Sequence, residues 1–376
     1  MKRRSFLASA SLAAAGLFAT SSKSQPASET TQPDSNPLRF RPDGSFKILV
    51  ISDTHYYPHP DKYGIALTEF LIDTEKPDAV IITGDVITGN ASNLPDEVKQ
   101  AIANVAEAFE KKQTSWAITL GNHDREAIRK NKVTMEEQMA MYESYPHNLN
   151  AGWVRDINGY GNKNLQVWSS DGAKPLFNLW LIDSSDGSDR SRQERASGGD
   201  PSHGWIATDQ VNWYRETSIQ LEKRHGAKIP GAMFFHIPIP EFKEMVASNK
   251  IIGERKEPEM TQRVNGGLFS ACMERGDVKA IFCGHDHENN YFGHYHGIAL
   301  AYAGIAGYFA YPTIPPTEPV NGRARGGRVI ELNADKPDTF KTWLRFRDGS
   351  VNWESQSAEY EQDLTGETRT GHFWMP

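Results

Sequence analysis

An α/β fold built on parallel strands is what this 376-residue chain predicts, and three observations lead to it. Five short apolar runs, largely β-branched or aromatic, each end in a cluster bearing Gly, Asp, Asn or His, the pattern of buried strands. Stretches with apolar residues at helical spacing separate the first three runs, and a strand–helix–strand rhythm makes the neighbouring strands parallel. At 38% hydrophobic residues the chain can also bury a full core, as one large α/β domain or two modest ones.

The elements follow in chain order. Residues 1–21 read as an export signal, because Lys2, Arg3 and Arg4 precede Ser5-Phe6-Leu7 and an alanine-rich stretch ending near Ala19. That stretch falls short of the roughly 20 apolar residues of a spanning helix, so no stable membrane insertion is expected. The paired arginines resemble the bacterial twin-arginine signal, with an ordinary secretory signal as the alternative. The first reading predicts the twin-arginine export machinery as a partner and a periplasmic or extracellular destination. That route exports folded proteins, which suits a metalloenzyme loaded before export. Residues 22–37, rich in Ser, Thr, Gln and Pro, read as a flexible tether.

A single domain is assigned to 38–353. Strands are predicted at 48–51, 79–82, 116–120, 176–183, 232–235, 278–282, 298–302, 328–332 and 339–346. Helices are predicted at 65–75, 97–111, 208–224 and 268–275, and short strands and turns over 149–168. Residues 184–204 form a polar loop. It carries Arg190, Arg192, Arg195 and His203, but Asp186, Asp189, Glu194 and Asp200 nearly cancel them, so it reads as a solvated loop rather than a substrate clamp. A polar stretch covers 241–266, and the tail 354–376 has no firm periodicity.

The net charge of −7 gives no polycationic surface, so binding to a nucleic acid backbone is not expected. Cys272 and Cys283 read as two buried, unpaired thiols, too few for a disulfide framework.

The chemistry sits at the strand ends. The five clusters are Asp53-Thr54-His55, Gly84-Asp85, Gly121-Asn122-His123-Asp124, His236, and Gly284-His285-Asp286-His287. Open α/β sheets bind ligands just beyond the carboxyl ends of their strands, so the fold would gather all five. A metal pair suits phosphate-ester hydrolysis, because it clamps the attacking and departing oxygens and acidifies a bound water. Imidazole and carboxylate donors without thiolates suit iron, manganese or zinc rather than a structural zinc centre. Each cluster alone could be a turn; the set in one order points to a two-metal hydrolase.

The order D-x-H, G-D, G-N-H-D, H, G-H-x-H resembles the calcineurin-like metallophosphoesterase superfamily, over about 46–304. Within it, Phe235-His236-Ile237-Pro238-Ile239-Pro240 and Arg275-Gly276-Asp277-Val278 are similar to its purple-acid-phosphatase-like branch. The resemblance implies a four-layer α/β/β/α fold, a β-sandwich flanked by helices. By motif it implies Asp53, His55 and His287 on a first metal ion, Asn122, His236 and His285 on a second, and Asp85 bridging both. The ions would be divalent or mixed-valence. His123 would be the non-ligand catalytic residue, and Asp124 would either orient His123 or cap the helix after it. The implied reaction is hydrolysis of a small phosphomonoester by a metal-bridging hydroxide, with His123 assisting the leaving group. A phosphodiesterase acting on nucleotides or phospholipid head groups, or a non-catalytic binding module, are the alternatives. One departure is plain: true purple acid phosphatases place an iron-binding tyrosine three residues after the bridging aspartate, and this chain has Thr88 there.

Overall fold

Alternation along the strands builds the layers of the protein. In β2 (Ser45–Ile51), Ile48 and Val50 face one side while Leu49 and Ile51 face the other, and both sides are buried. The same division separates Ala79 and Ile81 from Val80 and Ile82 in β3 (Ala79–Thr83), and Ala117 from Trp116 and Ile118 in β4 (Trp116–Thr119). A strand that is apolar on both faces needs cover on both. The computed structural model supplies it for the residues it describes, 38–186, 204–248, 251–308 and 325–356. The expected export signal at 1–21, the tether at 22–37 and positions 357–376 of the tail lie outside the described residues. So do 187–203 of the polar loop, with Arg190, Arg192, Arg195 and His203.

One sheet has six strands in the order β14-β13-β12-β2-β3-β4, adding β12 (Gly326–Asn333), β13 (Phe340–Phe346) and β14 (Val351–Gln356). Its β2, β3 and β4 are parallel, and β12 closes antiparallel onto β2. The second sheet has eight strands in the order β1-β5-β6-β7-β9-β11-β10-β8. They are β1 (Leu38–Arg39), β5 (Lys163–Trp168), β6 (Pro175–Leu181), β7 (Gly231–Phe234), β8 (Ile251–Ile252), β9 (Val278–Cys283), β10 (Phe292–Tyr295) and β11 (Ile298–Tyr302). Within it β6, β7, β9 and β11 run parallel.

Three cores hold the layers together. Between the sheets, Ile48, Val50 and Ile81 meet Phe177, Leu179, Phe234 and Phe282. Outside the six-stranded sheet pack α1 (Lys62–Glu75), α2 (Pro95–Lys111) and α4 (Met135–Glu143), with α3 (Glu126–Asn131) before α4. Outside the eight-stranded sheet pack α5 (Thr208–His225), α6 (Glu241–Ala247) and α7 (Leu268–Arg275). The result is α/β/β/α, as the resemblance implied. Helix ends follow local chemistry: Asp61 accepts from Tyr63 N at the start of α1, Thr134 and Glu137 form a capping box on α4, and Gly226 ends α5 at φ 76°.

Cys272 in α7 and Cys283 at the end of β9 are both buried free thiols. Strand β14 runs past position 354, into the stretch read as tail, because pairing with β13 supplies the order that periodicity did not. At the opposite edge of that sheet, Asn150 serves β4 as a strand would: its Oδ1 accepts from Ile118 N and its Nδ2 donates to Ile118 O, both at 2.9 Å. Among the described residues no helix is long and apolar enough to cross a membrane.

Candidate metal centre

Five parallel strands, β2, β3, β4, β7 and β9, each deliver a cluster to one end of the sandwich. The chain must turn sharply there, and four of the polar residues adopt positive φ: Asp53 (52°), His55 (48°), Asp85 (45°) and His285 (77°). Such conformations cost on the order of 1 kcal/mol or more each for residues with a Cβ, and such strain clusters at functional sites. Two glycines admit the close approach. A Cβ on Gly121 would collide with Asp85 Oδ1 and lie 2.8 Å from His236 Cδ2; one on Gly284 would lie 2.6 Å from Asp53 Oδ2 and collide with Ser52.

The side chains form two groups that share one carboxylate. Asp53, His55, Asp85 and His287 each offer an atom within 4.8 Å of the others, as do Asp85, His236 and His285. In the first group His287 Nε2 lies 3.1 Å from Asp53 Oδ1, and His55 Nε2 lies 3.7 Å from Asp85 Oδ2. In the second, His236 Nε2 is 3.1 Å from that same Asp85 Oδ2. The rings of His236 and His285 meet edge to face at 5.1 Å.

The donor set fits a cation. His55 Nε2 and His287 Nε2 face each other at 3.3 Å, an arrangement two lone pairs share poorly without a cation between them. Burial, opposed by the Asp85 charge, lowers the His55 pKa to about 3, so the ring is neutral and offers a lone pair. His285 is likewise lowered by burial, to about 4. Burial would also lower His236, but the Asp85 charge outweighs it and raises that pKa to about 9. Burial would raise Asp85; the charge and hydrogen bond of His236 hold it well below the usual carboxylate range instead. Asn122 Oδ1 and His236 Nε2 are buried without a well-aligned hydrogen-bond partner, as ligand atoms awaiting an ion would be. Two of these rings are held from behind by their other nitrogen: His236 Nδ1 meets Thr83 O at 2.9 Å and His55 Nδ1 meets Thr88 Oγ1 at 3.0 Å. Thr88, at the tyrosine position of the purple enzymes, thus touches a histidine from outside the donor cluster.

His123 stands at the rim, its side chain 36% exposed, with Nε2 4.0 Å from Asp85 Oδ2. Its backbone N donates to Asp85 Oδ1 at 2.8 Å. Asp124 needs correction on both expected roles. Its buried carboxylate accepts from Gly121 N, Val86 N and Ile87 N, at 2.7, 3.3 and 2.9 Å, binding the loop after β4 to that after β3. The residue at the N-cap of α3 is Arg125. The side chain follows the backbone donors because it points into the buried floor, while the His123 ring lies at the rim with Nε2 towards Asp85. The residue beside His123 Nδ1 is Glu126, with Oε1 at 3.1 Å, which the sequence reading did not single out; its i,i+3 spacing was the available signal. Burial would lower His123, yet Glu126 and Asp85 raise it to about 9. Arg125, also unanticipated, crosses to the other sheet and meets Asp183, just after β6. Beside His287 lies a small surface recess, lined by Glu254, Lys256, Glu288, Ile305 and Phe346 among others.

Comparison with known proteins places this arrangement. The family model for calcineurin-like phosphoesterase matches residues 46–289. "Probable inactive purple acid phosphatase 14" of Arabidopsis thaliana is 33% identical over 353 residues, covering 83% of each chain. "Phosphatase DCR2" of Saccharomyces cerevisiae is 26% identical over 276 residues, 66% of this chain and 45% of that one. Among solved structures, a dimetal phosphatase from Danio rerio shares the fold with a TM-score of 0.53 at 13% identity, covering 83% of this chain and 98% of that one. With the family model spanning well over half its length and the strand-end clusters in the family's order, the chain belongs to the calcineurin-like phosphoesterase family.

Proposed function

We propose that this protein is a binuclear-metal phosphoesterase that hydrolyses small phosphomonoesters. One observation carries the reading: the Asp85 carboxylate belongs to both groups of candidate ligands, as a bridge requires. In this reading Asp53, His55, His287 and Asp85 hold one ion, and Asp85, Asn122, His236 and His285 hold the other. Nitrogen and oxygen donors suit iron, manganese or zinc. When bound, the ions supply Lewis acidity and an acidified water. The chain's own groups do the rest: Thr83 O and Thr88 Oγ1 hold two ligand rings in place, and His123 Nε2, at the exposed rim, gives a proton to the departing alcohol oxygen.

The test is p-nitrophenyl phosphate hydrolysis by manganese- or iron-loaded protein beside Asp85→Asn. Activity that disappears in Asp85→Asn supports the reading. Inactive, folded, metal-loaded protein overturns the monoesterase, and diester substrates are then assayed. A second reading, metal binding without turnover, draws support from the printed name of the Arabidopsis relative, "probable inactive". Metal uptake with no turnover of either ester class would favour it.

Export by the twin-arginine machinery to the periplasm or beyond is proposed from Arg3, Arg4, Phe6 and Leu7. Replacing Arg3 and Arg4 by lysine should retain the protein in the bacterial cytoplasm; unchanged fractionation would overturn that route.

A further inference from the structure

We infer that Glu126 is a positioning residue that holds the His123 ring so that Nε2 faces the departing oxygen. The inference rests on the phosphomonoesterase reading above. Main-chain and ring contacts together pin the histidine. Its backbone N donates to Asp85 Oδ1 at 2.8 Å, and its carbonyl accepts from Gly89 N at 3.0 Å. These fix the main chain from opposite sides and leave the side-chain torsions free. Two ring contacts set them: the His55 ring packs edge to face against that of His123 at 4.9 Å, and Glu126 Oε1 lies 3.1 Å from Nδ1, the only one of the two that holds a ring nitrogen, with Nε2 then 4.0 Å from Asp85 Oδ2.

Geometry excludes the adjacent candidate. The Asp124 carboxylate is committed to the N–H groups of Gly121, Val86 and Ile87. Glu126 is itself steadied, since its Oε2 accepts from Asn90 N at 3.4 Å. Its side chain is 20% exposed and that of His123 36%, so the pair reaches the surface and is not sealed inside. The Nδ1 contact is at hydrogen-bond distance but off the ideal line, as free enzymes often leave catalytic contacts until substrate closes them.

The proton path is then defined. A carboxylate only accepts, so Glu126 requires a proton on Nδ1. The Nε2 proton passes to the alkoxide oxygen as the P–O bond breaks, and the proton released by the attacking water restores it. A substrate with a poor leaving group needs that proton; p-nitrophenolate does not.

The experiment measures kcat and KM of manganese-loaded wild type, Glu126→Ala, Glu126→Gln, His123→Ala and His123→Ala/Glu126→Ala. Substrates are p-nitrophenyl phosphate and glycerol 2-phosphate. Glu126→Ala should lower kcat on glycerol 2-phosphate on the order of 100-fold, the scale of a lost acid catalyst, with KM held and far less effect on p-nitrophenyl phosphate. Glu126→Gln should recover most of the loss, because its amide oxygen can still accept from Nδ1. The double variant should be no slower than His123→Ala. Equal losses on both substrates, or losses that multiply in the double variant, overturn the inference while leaving the phosphatase reading intact. If wild type hydrolyses neither substrate, the phosphatase reading falls, and ¹⁵N spectra of His123 in metal-free protein decide the pairing. An Nδ1 proton present in wild type and lost in Glu126→Ala supports it; identical spectra overturn it.

Discussion

Replacing Arg125 with methionine removes the cation from an ion pair sealed inside the protein. Arg125 Nη2 lies 2.5 Å from Asp183 Oδ2, with the side chains 1% and 0% exposed. Methionine preserves most of the packed stem, so the main loss is the charge and the bond from Nη1 to Gly121 O. Asp183 keeps N–H donors from Tyr160 at 2.8 Å and Ser185 at 2.9 Å. Breaking a buried pair by deleting one partner costs about 3–5 kcal/mol, and the two retained donors favour the lower end. A deficit of about 3 kcal/mol corresponds to a fall in melting temperature of roughly 4–5 °C for a domain of about 300 residues. Thermal unfolding of metal-free protein followed by circular dichroism measures it at pH 7. Arg125→Met/Asp183→Leu, with neither charge left, should regain most of the loss. A single variant that melts with wild type at pH 7, or a double variant as weak as the single, would refute the reasoning.

Other outcomes follow from the same geometry. Gly121→Ala should abolish tight metal binding in calorimetric titration, since its Cβ would occupy the space of Asp85 Oδ1; wild-type stoichiometry and affinity would count against the shared carboxylate. Iron-loaded protein should lack the intense visible band of a tyrosinate ligand, because Thr88 stands at that position; a strong band removed by mutating a tyrosine would contradict the ligand set. Burial and the Asp85 charge raise the Asp124 pKa from 3.8 to about 7. The folded state therefore binds a proton more tightly than the unfolded chain, and this contribution, complete below pH 3.8, is lost as pH rises through about 7. Melting temperatures of metal-free wild type and Asp124→Asn should diverge across that window, and parallel curves would remove Asp124 from the pH response.

The sequence made the strand ends legible because burial on both faces forces continuous apolar runs, and the polar clusters that end them stand out. Asp53, Asp85 and His236 could be placed together through strand order alone. What escaped were features fixed by pairing or by side-chain direction. Strands β1 and β8 have two residues each and exist because β5 and β10 offer them a ladder. Helix α6 lay inside a stretch read as polar, and Phe242 and Met245 were too few to show a period. Asp124 was paired with the wrong group because adjacency in sequence says nothing about which way a side chain leaves a tight loop. Glu126 and Arg125 were in view in the same segment; their partners are set by the turn after β4 and by a second sheet 58 residues on.

Asn150 gives the protein's chemical lifetime a weak point. At the β4 edge the main chain of 147–149 pairs only with Trp116, and the Asn150 amide carries the ladder on, offering a donor and an acceptor to the N–H and C=O of Ile118. Loss of ammonia from that side chain, a slow ageing reaction of asparagine, would turn the donor into an acceptor facing a carbonyl. The edge would open just before the loop that carries Asn122 and His123, leaving Ile118 O without its partner and free to recruit another chain. Burial protects Asn150 while the fold is intact, so the clock would run chiefly through excursions that expose it.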